Sequence, residues 1–201
     1  DKSKITGLVT REGLHVNIAS LIVTTGTFMN GTIHIGKKQF KGGRFAEKNS
    51  SGLTEALISM GFLFSRLKTG TPPRIDGSSI NFDKTLLSNG DKIIYPFSIM
   101  TNPDDVGNST PCYYTSTNMS THQIIQENIH SSAMFSGQID AIGPRYCPSI
   151  EDKVSRYPKK DAHQIFLEPE WVDSNQIYVN GFSTSLPEVV QIKAIRSIQG
   201  L

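Results

Sequence analysis

Residues 143–157 read Gly143-Pro144-Arg145-Tyr146-Cys147-Pro148-Ser149-Ile150-Glu151-Asp152-Lys153-Val154-Ser155-Arg156-Tyr157, a run that restricts its own conformation strongly. Pro144 and Pro148 stiffen the approach. Ser149 followed three places later by Asp152 has the spacing at which a hydroxyl and a carboxylate satisfy the free N–H groups of a first helical turn, so a short helix is expected to begin there. Cys147 then lies just outside a helix N-terminus. Peptide dipoles, with Arg145 and Lys153, would favour thiolate over thiol there and would favour a bound anion. The same pattern also suits a cysteine that is only a small packing residue in a rigid turn.

The rest of the chain alternates short strand and short helix patterns. Thr6 to Thr25 alternate and then condense into Leu21-Ile22-Val23, which reads as two strands joined at Arg11-Glu12-Gly13, the second one well buried and ending at Thr25-Gly26. Gly31 to Lys38 nearly spells a phosphate-binding loop. Lys38 stands where the magnesium-holding hydroxyl belongs, however, and Ile33 and Ile35 alternate, so a hairpin is expected. A hydroxyl cap at Ser50 or Ser51 leads into Leu53, Ala56, Leu57 and Met60 at helical spacing, closed by Gly61. Phe62 to Leu67 reads as a strand that delivers Lys68-Thr69-Gly70-Thr71-Pro72-Pro73-Arg74 onto a proline-stiffened loop, and cations on such a loop suit phosphate.

Asn81 to Ser109 has little periodicity and reads as a long connection. Tyr113 to Thr117 suggests a strand, and Ser120 with Gln123 a capping box for a helix through His130. His163 to Glu168 and Gln176 to Val179 suggest antiparallel strands around Asp173-Ser174-Asn175, with Glu168 and Glu170 flanking Pro169. Ser185 with Glu188 starts a last helix whose Val189, Ile192, Ile195 and Ile198 are expected to line one face. Together these elements give an α+β fold, a mixed or antiparallel sheet with flanking helices.

Composition narrows the function classes. Twenty basic against eighteen acidic side chains leave a formal charge of +2, far from the footprint of a protein that holds nucleic acid by net charge, so any RNA contact is local. Two cysteines, Cys112 and Cys147, make neither a disulfide framework nor a zinc pair, and fit a reducing compartment; a single bridge between them stays open. His122 and His130 have no third ligand at metal spacing, so no metal site is expected. No apolar run approaches the roughly 18 residues of a membrane span, and the start at Asp1 suggests a soluble excerpt of a longer protein. No Gly-x-Gly-x-x-Gly is present to seat a dinucleotide pyrophosphate.

The central block resembles the GPRYCPSIEDKV signature of the MnmG/GidA family. The resemblance extends to Thr24-Thr25-Gly26-Thr27-Phe28, Gly42-Gly43-Arg44, Arg66 to Asp76 and Pro111-Cys112-Tyr113, then to His163 to Glu170 and Asn180 to Pro187, all in the family's order. It implies an excerpt of an FAD-binding fold with its insertion domain. Residues 1–50 would end the FAD-binding domain's strands and hairpin, 51–185 would form the insertion domain carrying the NAD-associated signature, and 186–201 a return helix. By the same resemblance Thr25, Gly26 and Ser50 would contact FAD, although Phe45 to Asn49 depart from the Gly- and Pro-rich pattern of bacterial relatives. Gly143 through Tyr157 would meet NAD, Lys68, Arg74 and Arg145 would meet RNA, and Cys147 would be catalytic.

The family implies an enzyme that installs an aminomethyl-type group at carbon 5 of a tRNA wobble uridine. It implies FAD, NAD(H), a methylene-tetrahydrofolate carbon donor, an MnmE-type GTPase partner and a homodimer. The Asn- and Ser-rich loops suggest a fungal mitochondrial member, with a bacterial cytoplasm as the alternative. Three other readings stand beside this one: a folate- and FAD-dependent tRNA uracil-5-methyltransferase, an NAD(P)H-dependent flavin reductase, and a docking module for tRNA or the GTPase without chemistry of its own.

Overall fold

Contacts within the chain gather into two units, Asp1–Ile33 with Phe40–Phe62, and His34–Gln39 with Leu63–Leu201. The structure, a computed structural model, describes residues 4–44, 46–107, 110–144 and 146–201. In the first unit, β1 (Gly7–Val9) pairs antiparallel with β2 (His15–Asn17), matching Leu8 to Val16. The turn closes through the Thr10 N–H on the Leu14 carbonyl at 2.9 Å, and Gly13 takes φ 83°, a torsion that favours glycine. The second expected strand is corrected. Leu21, Ile22 and Val23 belong to no strand and are exposed, Ile22 to 85%. A wholly apolar strand needs ladder partners and cover on both faces, and the described residues supply neither.

Next come β3 (Thr32–Ile35) and β4 (Lys38–Lys41), the expected hairpin, turning at Gly36 with φ 53°. An α-helix, α1 (Leu53–Ser59), ends as its sequence demands. Gly61 is left-handed at φ 96°, its N–H donates to Ile58 and the Phe62 N–H to Leu57, the paired bonds of a Schellman close. Its start is different from the expectation. Gly52 is the cap, and its N–H is met at 2.9 Å by the Glu55 carboxylate, so no serine hydroxyl is used. The first unit extends past residue 50 to include this helix.

In the second unit β5 (Arg74–Asp76), β6 (Leu86–Ser88), β7 (Cys112–Ser116), β8 (Gln164–Pro169) and β9 (Gln176–Asn180) form one antiparallel sheet, ordered β5-β9-β8-β7-β6. Register pairs Leu167 with Val179 and Tyr113 with Leu167. Alternation therefore puts Ile165, Leu167, Ile177 and Val179 on one buried face. Over that face lie α2 (Met119–Asn128), α3 (Ile150–Arg156) and α4 (Glu188–Arg196), which add Ile125, Ile150, Val154, Val190, Ala194 and Ile195, while Phe182 and Leu186 fill the centre. Each such side chain contributes roughly 1.5–3 kcal/mol by leaving water. The fold is α+β, as expected.

Four elements depart from the sequence expectation. The cap of α2 is Asn118, whose Oδ1 accepts the Thr121 N–H at 3.0 Å, two residues before Ser120, and the helix gives way to a 3₁₀ turn at Ile129–Ser131. Residues Phe62 to Leu67 form no strand; Leu63 is 99% exposed, and a lone parallel bridge joins Leu67 to Ile142. An edge strand, β6, lies inside the stretch expected as connection; Leu86 and Leu87 are both exposed, so no alternation marks it. On α4, Val189 and Ile192 face outward while Val190, Ala194, Ile195 and Ile198 are buried. Steps of three residues lag about 60° each, so the expected stripe runs halfway round the helix rather than along one side.

Candidate functional site

The turn before α3 forms as its sequence dictates. Ser149 caps the helix, its Oγ accepting the Asp152 N–H at 3.1 Å, while the Ser149 N–H donates to Asp152 Oδ2 at 3.0 Å. Cys147 stands two residues before this cap, half-buried, with its N–H on the Pro144 carbonyl at 3.2 Å. Its Sγ accepts the backbone N–H of Gly70 at 3.4 Å, so the proline-stiffened loop passes directly over the sulfur. Cys112 is also a free thiol, on β7; burial pushes it up, with Glu168 adding to the effect. No disulfide joins the two.

Charges around this turn are arranged inward. Lys68 is buried and its Nζ lies 3.7 Å from Asp152 Oδ2, also buried, while Arg156 approaches Asp152 Oδ1 at 3.6 Å from the exposed side. Arg74 is similarly engaged. Its guanidinium bonds Glu170 Oε1 at 2.9 Å, Thr71 Oγ1 at 2.7 Å and the Pro72 carbonyl at 2.9 Å, and lies 4.6 Å over the Tyr178 ring. Burial pushes the Tyr178 hydroxyl up, Arg74 pulls against it, and Glu168, Cys147 and Glu170 add to the rise. Lys153 is bonded to the backbone. Its ammonium donates to the Gly181 carbonyl at 2.9 Å and burial pulls its pKa down. Arg145 lies outside the described residues.

Within residues 143–157 the side chains divide in two. Ser149, Ile150, Glu151, Asp152 and Val154 are buried in cap and core, and Glu151 is fully so, its Oε1 accepting from Ser132 Oγ and the Ser185 N–H at 3.0 Å each. Such groups position the turn and offer no surface to a ligand. Gly143, Pro144, Tyr146, Pro148, Ser155, Arg156 and Tyr157 are exposed, and together with the half-buried Cys147 and Lys153 they are the described residues of this run that a dinucleotide or nucleic acid can reach.

The expected flavin contacts lie in the first unit, where the fold brings them to one turn. Thr25 accepts the Phe28 N–H at 3.1 Å; Ser50 then exchanges backbone bonds with Phe28 and Asn30 at 2.8 Å each. Gly26 has φ 55°, and a Cβ added there would meet nothing within 4 Å. The backbone at Gly26, beside an exposed Ser50, is open to the close approach of a cofactor.

Among the described residues no group of His, Cys, Asp and Glu suits a metal. His122 is instead a satisfied core residue, its Nε2 2.8 Å from Thr117 Oγ1. Sequence reasoning missed Gly70 and Tyr178 as neighbours of Cys147. A glycine inside a proline-rich loop was the available signal for Gly70. Tyr178 carried none, because its placement follows from strand pairing.

The sequence model of the family "Glucose inhibited division protein A" matches residues 1–201. The chain belongs to this GidA family. It is similar to the tRNA uridine 5-carboxymethylaminomethyl modification enzyme MnmG of Christiangramia forsetii, 48% identical over 200 residues, which cover 100% of this chain and 32% of that protein. The MnmG of Flavobacterium johnsoniae is 46% identical over the same lengths and shares. Among solved structures, Aquifex aeolicus GidA in its form I crystal aligns over 100% of this chain and 34% of its own, with a TM-score of 0.85 and 44% identity. The chain thus spans about a third of the length of these relatives.

Proposed function

We propose that this chain is part of an FAD-dependent enzyme that installs carboxymethylaminomethyl-type groups at carbon 5 of a tRNA wobble uridine. The observation that carries the reading is the match of the whole chain, at 48% identity, to an enzyme named for that modification. Carbon 5 of uracil is a poor nucleophile until something adds at carbon 6. Cys147, half-buried with its sulfur on the Gly70 N–H, is the group in this chain suited to that addition. Once carbon 5 has bonded the incoming carbon, loss of its proton together with departure of the thiolate from carbon 6 would restore the ring. FAD, held in part by Thr25, Gly26 and Ser50, would supply redox chemistry, and the open backbone at Gly26 fits that role.

The finer assignments belong to the same proposal. NAD(H) would meet the exposed residues of the 143–157 run, with Arg156 the described cation nearest the surface there. Methylene-tetrahydrofolate would donate the carbon, an MnmE-type GTPase would be the partner, and the full-length protein would be a homodimer. Among the described residues no helix is long and apolar enough to cross a membrane. A mitochondrial site of action rests on the segment from Phe45 to Asn49 and the Asn- and Ser-rich loops, with a bacterial cytoplasm as the alternative. Lys68 and Arg74 are bound to internal carboxylates, which weighs against a pure docking role through those cations.

The test is mass analysis of the wobble nucleoside in tRNA treated with the full-length protein, its GTPase, FAD, the folate donor and glycine. A carboxymethylaminomethyl uridine is the expected product. Appearance of 5-methyluridine, or of no new nucleoside, would overturn the reading.

A further inference from the structure

The loop Lys68–Arg74 is fixed at several points along its length. The Lys68 N–H donates to the Ile142 carbonyl at 3.0 Å, the Thr184 N–H donates to the Thr71 carbonyl at 3.3 Å, and Arg74 ties the far end to Glu170. A further tether is the Lys68–Asp152 pair, 3.7 Å apart with both side chains buried. Removing Lys68 would leave the buried Asp152 with the exposed Arg156 as its remaining cation. Asp152 is also the residue that closes the capping box with Ser149, two positions after Cys147. One end of the tether is therefore the loop's first residue and the other is the helix start that follows the sulfur.

Between these anchors the Gly70 N–H donates to Cys147 Sγ. Glycine is required there by space. A Cβ on residue 70 would stand 2.6 Å from the Ser183 Cβ, while the φ of Gly70 is outside the left-handed region, so torsion alone would admit alanine. A donor held on the sulfur fixes where the sulfur stands and which way its lone pairs point.

We propose that Lys68 is a positioning residue for Cys147: by pairing with Asp152 inside the fold, it holds the Gly70 N–H on the sulfur and so fixes the sulfur in place. This rests on the reading of Cys147 as the nucleophile. It gives Lys68 a task distinct from contact with RNA.

The test uses the full-length protein and iodoacetamide, with alkylation followed by mass on the tryptic peptide Tyr146–Lys153, which holds Cys147 as its sole cysteine. In Lys68→Met, the alkylation rate at neutral pH is expected to drop about tenfold as the sulfur loses its fixed position, and Lys68→Arg should restore most of it. Gly70→Ala should slow alkylation in the same way, and adding Ser183→Gly, which removes the clashing Cβ, should restore it. Circular dichroism and melting identify any variant that fails to fold; should Lys68→Met be one, the Gly70 and Ser183 variants decide. Folded variants alkylated at the parent's rate would overturn the proposal. That outcome leaves the nucleophile reading intact, whereas undiminished tRNA modification by Cys147→Ser would remove that reading and leave the alkylation result standing.

Discussion

The two units differ in what holds them together. The second packs four alternating strand residues, Ile165, Leu167, Ile177 and Val179, against three helices around Phe182, and all of the buried hydrophobic core among the described residues belongs to it. The first has one complete hairpin, β1 with β2, the outer ends of β3 and β4, a helix with no buried residue, and an apolar run at Leu21-Ile22-Val23 that remains exposed. Its order comes from backbone pairing, from left-handed turns and from glycines with no room for a side chain. A region of the first kind tolerates little change of volume in its interior, and one of the second kind tolerates much. For function, the consequence is that Cys147 sits on the rigid unit while the expected flavin contacts sit on the unit with less cover.

Truncation should expose this contrast most plainly. Phe182→Ala, in a fully buried site, is expected to cost about 3–5 kcal/mol in urea unfolding, whereas Ile22→Ala in this chain should cost under about 0.5 kcal/mol. Equal losses would erase the distinction between the units. A smaller effect comes from the helix caps. Ser149→Ala removes a hydroxyl that accepts an N–H at the start of α3 and should cost about 1 kcal/mol, while Ser51→Ala, beside a helix capped by Gly52 and Glu55, should be close to neutral.

The smallest effect is a dependence on pH confined to the second unit. The rings of His122 and His163 lie 5.2 Å apart. Both are held below the ordinary imidazole value: His122 by burial, with Asp161 opposing, and His163 by burial and then by His122, Lys153 and Lys160. Between the folded and unfolded pKa the unfolded chain binds more protons. Stability is therefore complete above the unfolded value near 6.5 and declines as pH falls from there through the lower folded values. The melting temperature should drop between about pH 7 and about pH 5, and His163→Gln should flatten that slope. A slope unchanged by the substitution would place the titrating groups elsewhere.

Much of the second unit was legible because its signals are local. Ser149 and Asp152 cap α3 as their spacing requires, and β8 and β9 alternate cleanly about a turn in which Asp173 takes φ 61°. The run around Cys147 was likewise readable as a turn leading into a helix. What was not legible depends on partners distant in sequence. Nothing near Lys68 announces Asp152, so the ion pair that this cation makes inside the fold could not be read from its loop. The outward turn of Val189 and Ile192 follows from the packing of α4, and β6 shows no alternation because both its leucines are exposed. The strand expected at Leu21 to Val23 fails for the related reason that a buried strand is defined by its neighbours.

The most direct test of the account replaces one atom. Cys147→Ser in the full-length protein keeps the turn, the cap and the surrounding charges and exchanges a nucleophilic sulfur for a hydroxyl. The account predicts that modified wobble uridine, measured by nucleoside mass analysis, falls by a factor of about a hundred or more while melting behaviour is preserved. A folded Cys147→Ser protein that modifies tRNA at the parent's rate would contradict it.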